Sequence, residues 1–170
     1  WLAAGYHGQM AYLARNVPIR VNPSLILAET RSIICVAINY RRRDGYVSPQ
    51  DSLARQPGQA VGRVAQYARG EDYHVVIRRG LADLADLLRE ALDEKFDARP
   101  CVDTAPVLER ELAARAGLGW IANNTCLIHP QLGSYLLLGE LFTTLDLATD
   151  EPGQFAGCAR CRRCIDACPT

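Results

Sequence analysis

The chain has 170 residues, 49% of them hydrophobic, which is enough apolar content for one ordinary domain with a buried core and the beginning of another. Its 19 Lys and Arg residues balance 19 Asp and Glu residues, which excludes a one-signed field over the whole domain and leaves any nucleic-acid contact to local patches. No apolar run reaches the length of a membrane span and the start lacks the basic-then-apolar pattern of a signal peptide, so a cytoplasmic setting with no membrane is expected.

Met10, Leu13 and Ala14 share one face of a short amphipathic helix over 9–15, closed off near Pro18. Asn22 and Pro23 supply a cap and a first-turn proline for a brief turn over 24–28. Residues 32–40 differ: Ile33, Ile34, Cys35, Val36, Ala37 and Ile38 make a continuous run rich in β-branched residues, the pattern of a central strand buried on both faces. Arg41, Arg42, Arg43, Asp44 and Gly45 break it. Three arginines at a strand end suit phosphate, although a solvated turn is their commoner fate; Lys95 is the only lysine, so composition explains much of the arginine excess. A long loop over 47–62 and a second strand over 63–67 follow.

Asp72 is placed to cap a helix reaching about Phe96, with Val76, Leu84, Leu87, Leu88, Ala91 and Leu92 as its core stripe. Gly80 inside it weakens it by up to about 1 kcal/mol relative to Ala. Tyr73 and His74 fall in the first turn, where a lone histidine is more often packed than a ligand. A short strand over 100–102 turns through Asp103, Thr104, Ala105 and Pro106 into a helix through Arg115, capped by Thr104 and ended by Gly117. Asp103 has two readings. It favours the positive start of that helix, or it sits at a strand end where α/β folds hold ligands and burial raises its pKa to that of a usable proton donor. Arg110, two turns into the same helix, is placed to pair with a carboxylate or phosphate.

Residues 119–125 read as a turn whose Asn123 and Asn124 amides satisfy their own backbone. After Gly133 and Ser134, leucines and threonines over 135–147 predict a long buried strand interrupted at Gly139, and 148–157 reads as a boundary. The expected organisation is therefore an α/β or α+β domain over 1–150 and the start of a second over 151–170.

That second segment carries Cys158, Cys161, Cys164 and Cys168, followed at once by Pro169. The pattern is C-x2-C-x2-C-x3-C-P, the bacterial-type [4Fe–4S] run in which three thiolates grip one cluster and the fourth reaches another. Zinc more often draws two separated cysteine pairs or a cysteine pair with a histidine pair. Cys35, Cys101 and Cys126 lie singly, and an odd total of seven implies a reducing compartment rather than a disulfide scaffold. Two clusters need a further cysteine run, so these residues are expected to be a piece of a longer protein, inactive alone.

Five segments taken together, QYARGEDYH at 66–74, VDTAPVLER at 102–110, AGLGWI at 116–121, NTCLI at 124–128 and GSY at 133–135, with the cysteine run closing the series, resemble the cobalamin-dependent epoxyqueuosine reductases of bacteria. The likeness covers nearly the whole chain in order. It implies a nitroreductase-like cobalamin-binding domain, the start of a ferredoxin-like domain with two [4Fe–4S] clusters, and a helical-repeat tail beyond. It also implies reduction of the epoxide of epoxyqueuosine in a tRNA anticodon loop to queuosine, an external electron donor, and a monomer. On these positions Asp103 resembles the family's general acid and Arg110 a neighbouring active-site residue, while Tyr73, His74, Gly133 and Ser134 lie around cofactor or substrate. Cys158, Cys161 and Cys164 would bind the first cluster and Cys168 the second. One departure stands out: Ala122 and Asn123 replace the family's common Gly-Lys, which removes a cation and a permissive glycine. Two other classes stay open. A reductive dehalogenase or similar reductase would share cobalt and clusters, and a plain electron-transfer ferredoxin would be indifferent to Asp103, although the long apolar domain argues against it.

Overall fold

A computed structural model describes residues 1–41, 64–151 and 153–169. The expected arginines Arg42 and Arg43, the loop over 47–62 and the first residue of the 63–67 strand lie outside the described residues. In chain order the helices are α1 (Tyr12–Arg15), α2 (Val17–Val21), α3 (Tyr73–Ala91), α4 (Glu109–Arg115) and α5 (Arg163–Asp166). The strands are β1 (Ser32–Asn39), β2 (Ala98–Cys101), β3 (Trp120–Ile121), β4 (Leu127–Ile128) and β5 (Leu136–Thr143). Among the described residues no helix is long and apolar enough to cross a membrane.

The sheet runs β1-β5-β2 with both pairings antiparallel, so the fold is α+β. Among the described residues the central strand is β5, and β1, expected at the centre, is an edge strand with its side chains half-buried or exposed. Alternation along β5 sends Leu137 and Leu141 toward α3, where Ile77, Leu81, Ala85 and Val102 close one core. The opposite face carries Phe142 and Cys101 into a second core with Ile26 and Val107. Both faces are thus covered by helices, which is why residues 136–143 are so continuously apolar.

Gly139 does not interrupt β5; it lets α3 approach. A Cβ there would lie 2.5 Å from Ile77 Cγ2 and 3.2 Å from Leu81 Cδ1. That contact also chooses the buried face of α3: Ile77, Leu81 and Ala85 point inward, whereas Val76 and Leu87 of the expected stripe are exposed. The helix begins where Asp72 predicts it, with Asp72 Oδ1 accepting the His74 amide at 3.0 Å, but it stops at Ala91 rather than near Phe96.

Other expectations shift similarly. The first helix is confined to Tyr12–Arg15, and Pro18, instead of ending it, sits in the first turn of α2. Asn22 does cap a 3-10 turn over Pro23–Leu25. The described part of the expected 63–67 strand is an extended entry to a 3-10 turn at Gln66–Ala68. Thr104 is not a helix cap: its hydroxyl turns back to the Val102 carbonyl, and α4 starts five residues later at Glu109, so Arg110 lies in its first turn. The expected turn at 119–125 is the bend of a small β3–β4 hairpin, with Asn124 Oδ1 accepting the Cys126 amide at 3.1 Å. Gly119 permits that pairing, since a Cβ there would lie 2.2 Å from the Ile128 carbonyl oxygen.

Candidate active site

Asp103 follows β2 by two residues and stands in the left-handed backbone region at φ 42°, which Asp tolerates better than most residues. Its amide donates to Glu109 Oε1, so the first residue of α4 holds the turn in this shape. The first turn of α3 converges on the same carboxylate. Tyr73 Oη donates to Asp103 Oδ2 at 2.8 Å, and His74 Nε2 lies 3.0 Å from the same oxygen. The other ring nitrogen, His74 Nδ1, lies 2.7 Å from Asp72 Oδ1.

An imidazole facing a carboxylate on each nitrogen donates both bonds only when doubly protonated. Hydrogen bonding to Asp72 and then to Asp103 accordingly raises the His74 pKa, and the same bond lowers that of Asp72. Burial first, and then the bond to Asp103, raises the Tyr73 pKa and keeps the phenol a donor. Asp103 itself is 54% exposed, so the burial expected there is absent; what stands beside its carboxylate is an imidazole and a phenol.

Asp103 and Tyr73 form one side of a cleft of about 500 Å³ also lined by Tyr40, Tyr67, Arg110 and Ser134, with Leu136 to Leu138 along one wall. Tyr135, Tyr40, Tyr67, Tyr73 and His74 run as a chain of ring contacts with centroids 4.0 to 6.3 Å apart. Glu109 and Cys126 complete the lining. Burial, and then the Asp103 carboxylate, raises the Glu109 pKa, opposed by the amide it accepts.

Of the residues singled out from sequence, Asp103, Tyr73 and His74 are bonded together, and Arg110 and Ser134 share the cleft wall. Arg110 donates to the Thr125 carbonyl and, at 3.2 Å, to the Thr125 hydroxyl. Thr125 has φ 63°, so Arg110 holds a strained hairpin loop. Gly133 turns the chain at φ 72°, exchanging two backbone hydrogen bonds with His129, and thereby places Ser134. Sequence reasoning missed the functional position of Asp72, seen only as a cap, and missed Glu109; the spacing Asp-x-His at a helix start was the available signal for the first.

The cysteine run lies beside this body. Phe155 packs on Trp120 with centroids 5.6 Å apart, and Asn123 Nδ2 donates to the Cys161 carbonyl at 3.2 Å. The Cys161 amide donates to the Cys158 carbonyl at 2.8 Å, forming a turn, and Cys164 lies on α5. None of the seven cysteines forms a disulfide. Among the described residues no three His, Cys, Asp or Glu side chains are gathered closely enough to hold a metal ion. Four thiols at this spacing are nevertheless the donor set that iron–sulfur chemistry requires.

An α+β body that sets a carboxylate and a phenol in a cleft, with an imidazole bonded to that carboxylate, and leads into a ferredoxin-type thiol run, brings proton-bearing groups and an iron–sulfur donor set into one chain. Residues 20–104 match the family model described as epoxyqueuosine reductase QueG, DUF1730. The chain belongs to the epoxyqueuosine reductase family. It is 44% identical over 170 residues to the epoxyqueuosine reductase of Gloeobacter violaceus, covering all of this chain and 49% of that protein. A solved epoxyqueuosine reductase in complex with an epoxyqueuosine-modified tRNA-Tyr stem loop is 32% identical, with a TM-score of 0.77 over 92% of this chain and 40% of that one. The Bacillus subtilis epoxyqueuosine reductase, with its catalytic aspartate loop swung out of the active site, is also 32% identical, with a TM-score of 0.73 over 92% of this chain and 39% of its own. The chain spans about half the length of the curated relatives it matches.

Proposed function

We propose that the protein carrying this chain reduces the epoxide of epoxyqueuosine in a tRNA anticodon loop to the alkene of queuosine. The observation that carries this reading is the convergence of Tyr73 and His74 on Asp103 at the wall of the cleft, in a chain of this family. Residues 1–150 form the nitroreductase-like cobalamin domain in this reading, and residues 151–170 open a ferredoxin-like domain.

The cleft suits a corrin: leucines and tyrosines offer apolar and aromatic surface to a broad ring, while Ser134, Arg110 and Asp103 meet polar substituents. Cys158, Cys161 and Cys164 would hold one [4Fe–4S] cluster and Cys168 would reach a second. Bound cobalamin supplies a low-valent cobalt as nucleophile or electron donor, and the clusters, reloaded by an external electron donor, supply electrons singly.

The overall change consumes two electrons and two protons and releases the epoxide oxygen as water. The residues of this chain manage the protons. The opened epoxide is a poor alkoxide leaving group, and Asp103 delivers a proton to it. His74, held charged between Asp72 and Asp103, restores that proton, and the Tyr73 hydroxyl fixes which carboxylate oxygen faces the imidazole. The Bacillus subtilis relative has an aspartate-bearing catalytic loop that swings out of its active site, and the turn that carries Asp103 supports a similar placement here. Thiols that must stay reduced suit the cytoplasm, where tRNA is modified.

The test is corrinoid binding and turnover by the full-length protein. Reconstitution with hydroxocobalamin is expected to give a bound corrinoid absorption. Asp103→Asn is expected to keep the fold and that absorption while lowering turnover by about 100-fold or more. Absence of bound corrinoid refutes the cofactor assignment, and wild-type turnover in Asp103→Asn refutes the acid role.

A further inference from the structure

Glu140 lies at the middle of β5 with none of its surface exposed, the only fully buried ionisable carboxylate among the described residues. Neither of its carboxylate oxygens has a hydrogen-bond partner. Directly across the strands it faces Cys35 on β1 and Cys101 on β2, two thiols that offer no positive charge. From above it is covered by α4, whose Ala113 is completely buried and whose Glu109 is the charge that acts on it. Arg99, on the same face of β2, turns its guanidinium to the Ile26 carbonyl, so a carboxylate stripped of water here has only two weakly donating thiols directly opposite and is too costly to keep ionised; the group takes up a proton. Burial, followed by the Glu109 charge, pushes its pKa up to about 8. Burial and then Glu140 push the neighbouring Cys35 thiol up to about 12, so no thiolate competes for the charge.

Glu109 connects this interior to the cleft. It stands at the start of α4, lines the cleft, and accepts the Asp103 amide that holds Asp103 in its left-handed turn. An ionised carboxylate accepts such an amide about twice as strongly as a neutral acceptor. Two negative charges on Glu109 and Glu140 would repel, so a protonated Glu140 favours an ionised Glu109 and a firmer grip on the Asp103 amide, and ionisation of Glu140 opposes it.

We propose that Glu140 is a positioning residue for the Asp103 turn: an uncharged carboxylic acid beneath α4 that leaves the negative charge of the pair on Glu109, where it holds the Asp103 backbone. The proposal rests on the reading of Asp103 as the acid only for its effect on turnover. The electrostatic arrangement is testable without it.

The experiment is infrared difference spectroscopy of the full-length protein between neutral pH and about pH 9, with the Asp103 amide followed by NMR across the same range. Wild type is expected to show a protonated-carboxyl band at neutral pH that disappears with a midpoint near 8 and is missing in Glu140→Gln. Glu109→Gln removes the opposing charge and is expected to move that midpoint to lower pH. The Asp103 amide resonance is expected to follow the same titration in wild type and to become insensitive to it in Glu140→Gln. A wild-type protein without the band, a midpoint that ignores Glu109→Gln, or an Asp103 amide that ignores the titration would each overturn the proposal. If Glu140→Gln does not fold, wild type and Glu109→Gln still decide it. These signals in a protein that lacks epoxide-reducing activity would support the positioning role and refute the enzymatic reading instead.

Discussion

His74 is the residue on which the site's charge state turns. Its two carboxylate partners stabilise the imidazolium, so its pKa in the folded protein lies above the ordinary 6.5. The stability contributed by the bridge is therefore fully present below that ordinary value and is lost as pH rises through the raised one. Asp72 has the opposite sign: its pKa is lowered, so its contribution is present above the ordinary carboxylate value and is lost as pH falls through the lowered one. The bridge is strongest in the window between these limits. Asp72→Asn leaves an N-cap side chain and removes the strongest stabiliser of the His74 proton, so the His74 titration midpoint is expected to fall toward 6.5. NMR titration of the imidazole C–H resonances measures it, and an unmoved midpoint would show that Asp103 alone holds the proton.

The same scale shows where sequence stops informing. Tyr73, His74 and Asp103 each stand out by position as well as by a resemblance, but the bonds among them join residues 29 and 30 apart and exist only once α3 and β2 meet the same sheet. The contact of Arg110 with Thr125 is equally non-local: α4 begins at Glu109, which turns Arg110 toward the hairpin loop. Glu140 left a sequence signal that went unused, since a single carboxylate inside the run LLLGELFT has no solvent face to occupy.

At the scale of elements, α3 shows the limit of periodicity. Its sequence offers apolar residues on more than one face, and the stripe read from spacing included Val76 and Leu87, which are exposed. The deciding contact comes from β5, where Gly139 lets Ile77 and Leu81 settle on the strand. β1 was legible as a strand because its β-branched run is local, whereas its edge position was not, because the strand that would flank it is 100 residues away in sequence. Two glycines of this region should respond oppositely to alanine. Gly139→Ala drives a Cβ into Ile77 and is expected to destabilise the domain by about 1–3 kcal/mol. Gly80 is on the exposed side of α3 with nothing within 4 Å of an added Cβ, so Gly80→Ala is expected to stabilise by up to about 1 kcal/mol. Urea midpoints of the two variants measured side by side check both signs.

Across the whole molecule, the cysteine run is not a loose tail. Gly117, at φ 79°, brings the end of α4 close enough that a Cβ would lie 3.2 Å from the Glu151 carbonyl, and Phe155 then packs on Trp120. A tilted aromatic pair of this kind contributes about 0.5–1.5 kcal/mol beyond its area. Phe155→Ala is therefore expected to leave the melting of the α+β body nearly unchanged while speeding proteolytic cleavage around residues 150–157. Limited proteolysis of the full-length protein measures the difference, and equal cleavage rates would show that the Asn123 bond suffices to hold the run in place.

The hairpin loop at 122–126 touches the thiol turn through Asn123 and the cleft through Cys126. Three residues of chain reach at most about 10 Å. Any electron carrier those thiols held in the proposed enzyme would thus stand at a distance from the cleft wall set by the two-stranded ribbon. Because Arg110 ties that ribbon to α4, and the first residue of α4 grips the Asp103 turn, spacing and acid would share one frame.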